Sequence, residues 1–293
     1  MVFEPLRYGF VRPVDGLAGL DSATGGSSSH GKHRAASSGG RRLAQARPER
    51  IAPTDEVGVF TKFAADYAAE HRGRTITFLQ AGCATAGPEL DVDTLVKAAP
   101  GLVINRVDDD NPIVREVAAG RPELTSVAFA ELRTLTLAPR SVDLIQCSLL
   151  LHRISNAELV LDRLVAGLRP GGLLFLRTAD RDTAAGVLDR KLPRFAREFA
   201  WQAAHPGEPG PFPACYEPIA SGRGIESFVV RRGLAIAHRQ AYSAEQSAGN
   251  PEPLLLLKRL IRRLSRASRG AAYDELRYVI RKPEDRYARV LSD

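Results

Sequence analysis

Short apolar runs alternate with amphipathic segments along the middle of the chain, and this alternation predicts parallel strands joined by covering helices. Strands are predicted over 75–81, 102–107, 126–129, 142–147 and 172–178. Most are rich in β-branched and large apolar residues, and 126–129 is the weakest in that respect. Helices are predicted over 91–99, 113–119 and 156–168. An earlier helix, from Thr54 to about His71, carries Val59, Phe60, Phe63, Ala64 and Tyr67 at helical spacing behind a Thr54 or Asp55 cap. Pro170-Gly171-Gly172 stops the helix before it and turns the chain into the last of these strands.

The flanks differ in composition. From Gly16 to Ala46 the chain is Gly-, Ser- and Ala-rich with almost no large apolar residue, too little to offset the entropy of ordering it, so 1–50 is predicted to be a disordered basic tail. Between Asp180 and Ser221, Phe195, Phe199, Trp201, Phe212 and Tyr216 are interleaved with prolines, the composition of a segment that closes over a site, or of one packed on the domain by its aromatics. In 254–269, Leu257, Leu260, Ile261, Leu264 and Ala267 form one helical stripe opposite Lys258, Arg259, Arg262, Arg263 and Arg266. Such a basic amphipathic helix can rest on an anionic membrane or an acidic partner, or pack on its own domain with a solvated charged face.

At 293 residues, 44% hydrophobic and 26% charged, the chain can build one large core without disulfides or metals. Cys83, Cys147 and Cys215 have neither disulfide nor zinc-ligand spacing, and no metal site is expected. With no membrane-spanning run and no signal-peptide pattern, a cytoplasmic location is expected. The net charge of +7 raises the question of nucleic acid. The excess, however, sits in residues 1–50 and 253–269, which leaves the rest slightly acidic and without a broad phosphate-binding face; nucleic acid is not an expected partner.

The candidate chemistry starts at Phe78-Leu79-Gln80-Ala81-Gly82-Cys83-Ala84-Thr85-Ala86-Gly87, a small-residue turn between a strand and a helix. In an α/β sheet that is where the backbone can approach a nucleotide. A phosphate-binding P-loop would need Gly-Lys-Ser/Thr where Gly87-Pro88-Glu89 stands. A dinucleotide fingerprint would need glycine where Ala84 stands.

From Thr75 to Asp180 the chain resembles the class I S-adenosylmethionine-dependent methyltransferases. The resemblance is carried by that turn, Val107-Asp108, Ser141-Val142-Asp143-Leu144-Ile145-Gln146-Cys147-Ser148, Leu150-Leu151-His152 and Leu168-Arg169-Pro170-Gly171-Gly172, in family order. It implies a Rossmann-like sheet, mostly parallel with an antiparallel C-terminal strand, and helices on both faces. The implied domain spans 51–293, with a core at 74–180, an acceptor lid at 181–224 and a closing strand at 276–282; 233–242 and 276–283 resemble the family's closing strands.

By the same resemblance S-adenosyl-L-methionine is the expected cofactor. Gly82 and its neighbours Gln80, Ala84 and Gly87 would meet its methionine part. Asp108 would accept from both ribose hydroxyls, with Asp109 and Asp110 as adjacent spares, and Glu131 would lie near the adenine amino group. His152 would face the transferred methyl as a proton acceptor, with Tyr216 and Glu217 as possible acceptor contacts. The chain departs from the pattern at Gln80, where the family has an acid, and at Ala84 and Ala86, where it has glycines. Two functions stay open: methyl transfer to an O or N nucleophile on a small or amphiphilic acceptor, and a non-catalytic binding or assembly module on the same fold.

Overall fold

The computed structural model describes residues 58–84, 90–122, 124, 126–204, 206–242 and 273–284. The predicted tail 1–50, Gly87 and the basic segment 254–269 lie outside the described residues. β1 (Ile76–Ala81), β2 (Leu102–Asp109), β3 (Ala128–Ala130), β4 (Val142–Ser148) and β5 (Leu168–Ala179) run parallel. β6 (Ala235–Tyr242) and β7 (Glu275–Arg281) complete a seven-stranded sheet of order β3-β2-β1-β4-β5-β7-β6, in which β7 is antiparallel to both neighbours. This is the predicted sheet, and each predicted strand is present with its ends shifted by a few residues.

Side-chain alternation along the strands builds a core on each face. Phe78, Leu144, Phe175 and Val279 point to α1 (Val59–Glu70) and α2 (Val92–Ala98), where Phe60, Ala64, Tyr67 and Leu95 meet them. Leu79, Ile145, Leu174 and Tyr278 point the other way, to α4 (Ala157–Gly167) and α7 (Gly222–Arg231), against Leu161, Leu164, Ile225 and Phe228. β4 is buried at every position, as a central parallel strand covered on both faces should be.

Pro170-Gly171-Gly172 lies inside β5 and not ahead of it. The strand starts at Leu168, directly after α4, and the register with β4 shifts between Val142 and Leu144, so these residues form a bulge. Gly171 takes φ +81°, and its N–H donates to Lys282 O at 2.8 Å, while Lys282 N–H donates to Gly172 O at 3.0 Å. The motif joins β5 to the end of β7, far from any ligand crevice.

Asp143 has an equally structural task. Fully buried near the start of β4, it accepts from Tyr67 Oη at 3.0 Å, Thr77 N at 2.9 Å and Arg169 Nη1 at 2.6 Å, and pairs with Arg74. The carboxylate ties α1, β1 and the bulge together at the end of the sheet opposite the crevice.

The predicted lid region is largely helical: α5 (Ala184–Lys191), α6 (Arg194–Ala204), a 3-10 turn at Pro218–Ala220 and the start of α7. Thr183 and Ser221 cap α5 and α7 by accepting from Gly186 N and Gly224 N. Phe195 and Phe199, one turn apart on α6, are 74% and 79% exposed, whereas Trp201 packs edge-on to Phe212 with ring centroids 5.6 Å apart.

Candidate functional site

The chain leaves β1 for β2 and β3 on one side, then returns to β4 on the other, which makes the C-terminal ends of β1 and β4 the switch point where an open α/β sheet has its crevice. Gly82 turns the chain there. Its φ is +79°, and a Cβ at this position would lie 2.3 Å from Ser148 O, so no other residue fits without moving β4. A cleft of about 230 Å³ opens at the ends of β2 and β3, against the loop after β4, lined among others by Asp109, Asp110, Asn111, Glu131, Arg133 and Arg153.

The acids at the end of β2 are held by a residue that the sequence reading passed over. Arg153, in the loop after β4, pairs through Nη2 with Asp108, and bonds Asp109 Oδ1 through Nε at 3.0 Å and Nη2 at 2.7 Å. The Arg153 and Asp108 side chains are 1% and 0% exposed, whereas Asp109 is 18% exposed and lines the cleft. Asp108 also accepts from Ala84 N at 2.9 Å and Asp109 N at 2.9 Å. Its work is therefore inside the protein: it fastens the Gly82–Ala84 turn to β2. Burial pushes its carboxyl up to about 6 against the downward pull of Arg153. Asp109, described from sequence as a spare, is the β2 acid placed at the cleft beside Asp110.

Gln80 stands in a row of polar side chains that crosses three strands at one level, since it is in register with Arg106 on β2 and Gln146 on β4. Arg106 Nε donates to Gln80 Oε1 at 2.9 Å, Gln80 Nε2 to Gln146 Oε1 at 3.3 Å, and Gln146 Nε2 to Ser148 Oγ at 3.0 Å. A guanidinium has no acceptor, so Arg106 fixes which way the first amide faces, and each later amide follows. On the far side of the turn, Arg121 Nη1 donates to Cys83 O at 2.8 Å and Ala84 O at 3.2 Å.

His152 follows β4 with its ring 5.4 Å from that of Tyr216, and its enclosed Nδ1 has no hydrogen-bond partner among the described residues. Burial, then the charges of Arg153 and Arg177, hold its pKa down to about 3, so the imidazole is neutral at physiological pH. Its carbonyl accepts from Cys215 N and Tyr216 N, both at 2.9 Å. Tyr216 is buried, and Glu217 caps α4 by accepting from Asn156 N at 2.6 Å and Ala157 N at 2.9 Å. These two lid residues are thus anchors. Glu131 is at the cleft, exposed, and held by Arg133 through bonds of 2.7 and 2.8 Å. The Cys83 and Cys147 thiols are buried, and burial pushes them up to about 11 and about 12, which leaves them protonated and unreactive. Among the described residues no group of His, Cys, Asp and Glu could hold a metal ion.

No family model matches the chain, and no curated protein matches it in sequence. Solved structures do. A methyltransferase from Mesorhizobium loti is 17% identical, with 71% of this chain and 91% of that one covered and a TM-score of 0.42. A methyltransferase from Methanosarcina mazei is 14% identical over 74% and 96%, with a TM-score of 0.44. The [4+2]-cyclase SpnF is 12% identical over 81% and 89%, also at 0.44. The fold assignment stands on the strand order, the antiparallel β7 and the switch point: this is the Rossmann-like fold of class I S-adenosylmethionine-dependent methyltransferases.

Proposed function

We propose that the chain binds S-adenosylmethionine and its demethylated product at the switch-point crevice and transfers the methyl group to an O or N nucleophile of a small or amphiphilic acceptor. One observation carries this reading: Asp109, an acid aligned by Arg153, and Glu131 line a single cleft at the ends of β2 and β3, and the neighbouring Asp108 holds the Gly82–Ala84 turn. The nucleoside half of the ligand fits these residues. Asp109 is suited to accept from ribose hydroxyls, and Glu131, at the same cleft, from the adenine amino group. Asp108 then acts one step back, holding the turn to which Ala84 belongs.

When bound, S-adenosylmethionine supplies an electrophilic methyl on sulfonium. What the chain supplies is position. With its pKa near 3, His152 is too weak a base to take up a proton at neutral pH, so its contribution is to accept a hydrogen bond and orient the nucleophile. The experiment is incubation with methyl-labelled S-adenosylmethionine and panels of small amines, alcohols and carboxylic acids. Label in one acceptor, with S-adenosylhomocysteine formed in equal amount, supports methyl transfer. Binding without transfer to any acceptor supports a second reading, the non-catalytic module, which the neutral Gln80 beside Arg106 favours.

The basic segment 254–269 extends the proposal to a peripheral contact with an anionic membrane or acidic partner, which binding to acidic liposomes at low and physiological salt would test. Among the described residues no helix is long and apolar enough to cross a membrane. A cytoplasmic setting remains part of the proposal.

A further inference from the structure

We infer that Phe212 is a positioning residue for the nucleoside end of the ligand: with the strip 212–216 to which it belongs, it holds the Arg153 guanidinium against Asp109 and walls one side of the cleft. The inference rests on the proposed function and gives the 181–224 insertion a role on the cofactor side of the site, where its sequence points only to an acceptor.

Arg153 serves two carboxylates at once. Its Nη2 pairs with buried Asp108, while Nε and Nη2 bond Asp109 Oδ1 at 3.0 and 2.7 Å, so a swing of the guanidinium toward Asp108 would release the acid that lines the cleft. Phe212 adds a restraint against that swing. The guanidinium lies over its ring with Cζ 5.8 Å from the centroid, a distance at which a cation is drawn to an aromatic face. The Arg153 side chain is buried, so water screens this attraction little.

The same strip holds the backbone that carries Arg153. Cys215 Sγ donates to Arg153 O at 3.1 Å, and Cys215 N and Tyr216 N donate to His152 O, both at 2.9 Å. Pro213 and Cys215 line the cleft together with Asp109 and Glu131. The strip is itself fixed from α5 and α6. Arg197 donates to Phe212 O through Nη2 at 2.5 Å and to Asp189 Oδ1 through Nε at 2.9 Å, and Trp201 packs edge-on to the Phe212 ring. A line of contacts thus runs from α6 through Phe212 and Arg153 to Asp109.

The test is a double-mutant cycle by calorimetric titration of the full chain with S-adenosylhomocysteine, using Phe212→Leu, Asp109→Ala and the two combined. Phe212→Leu keeps apolar bulk but removes the ring, and should weaken binding about fivefold or more, within the range of a desolvated cation–π contact. Phe212→Tyr keeps the ring and should bind within about twofold of the wild type. On the Asp109→Ala background Phe212→Leu should weaken binding by less than about twofold, because the acid through which it acts is gone. Circular dichroism confirms folding, and Phe212→Met replaces Phe212→Leu if that variant does not fold. If Asp109→Ala binds too weakly to titrate, the contrast between Phe212→Leu and Phe212→Tyr decides the matter. Unchanged affinity in Phe212→Leu, equal weakening in Phe212→Tyr, or the same loss with and without Asp109 overturns the inference and leaves the proposed function standing. Wild-type affinity in Asp109→Ala overturns the inference together with the place of Asp109 in the proposed site, and no binding by the wild type overturns both readings.

Discussion

The guanidinium of Arg153 closes on the carboxylate of Asp108 with both side chains withdrawn from solvent, at 1% and 0% exposure. Removing one partner of such a pair strands the other as a buried charge, a more costly event than replacing both. Arg153→Ala should therefore destabilise the fold by about 3–5 kcal/mol in urea unfolding. Adding Asp108→Asn should recover part of the loss. A single variant as stable as the wild type would show that the pair carries no such weight.

Asp143 is the matching test at the other end of the sheet. It accepts from Tyr67, Thr77 and Arg169 and pairs with Arg74, so Asp143→Ala leaves two guanidiniums and a buried hydroxyl without their common partner. A loss of about 3 kcal/mol is expected, at the lower end for a broken buried pair because both arginines are partly exposed. Ligand affinity, measured below the melting range, should be unchanged, since Asp143 lies away from the crevice. A tenfold weaker ligand affinity in a folded variant would contradict this assignment.

Much of the sheet was legible because its strands are covered on both faces and so read as nearly continuous apolar runs; β4 is the clearest case. The caps were not: Asp91 caps α2 and Thr183 caps α5 although neither is named from the sequence, and the Thr54 or Asp55 cap that is named lies outside the described residues. The division of labour among the β2 acids was not. Asp108, Asp109 and Asp110 form a run of identical residues, and which of them faces the cleft depends on Arg153, 45 residues beyond Asp108. An arginine in the loop after the fourth strand was the available signal, overshadowed by His152 next to it. Glu217 is expected from sequence as an acceptor contact, and its capping role was hidden because the helix it caps begins 60 residues earlier. The bulge at Pro170-Gly171-Gly172 was hidden for a similar reason: its hydrogen bonds go to Lys282.

His152 gives the fold a pH dependence with a definite sign. Its pKa is about 3 in the native state against 6.5 unfolded, so between those values the unfolded chain binds more protons, and this group removes stability as pH falls. Asp108 and Asp180, raised to about 6 from 3.8, act in the opposite sense: the native state holds their protons longer, and the stability they contribute is lost as pH rises through that window. His152→Phe isolates the histidine. Its melting temperature relative to the wild type should increase as pH is lowered from 7.5 to 5. A constant difference across that range would mean that His152 is not buried neutral.

The same residue separates two accounts of catalysis. A general base contributes roughly a hundredfold or more, whereas an orienting hydrogen bond contributes less. Once an acceptor is found, His152→Phe should lower kcat by less than about a hundredfold, and the wild-type rate should show no ionisation of His152 between pH 6 and 8. A limb near 6.5 that disappears in His152→Phe would make it the base.

The account depends most on Asp109 and the cleft it lines. Calorimetric titration of the wild type and Asp109→Ala with S-adenosylhomocysteine tests this directly. One saturable site is expected in the wild type, weakened in Asp109→Ala by about 1–3 kcal/mol, the range for losing hydrogen bonds to a charged group. No binding by the wild type, or equal affinity in the two proteins, would contradict it.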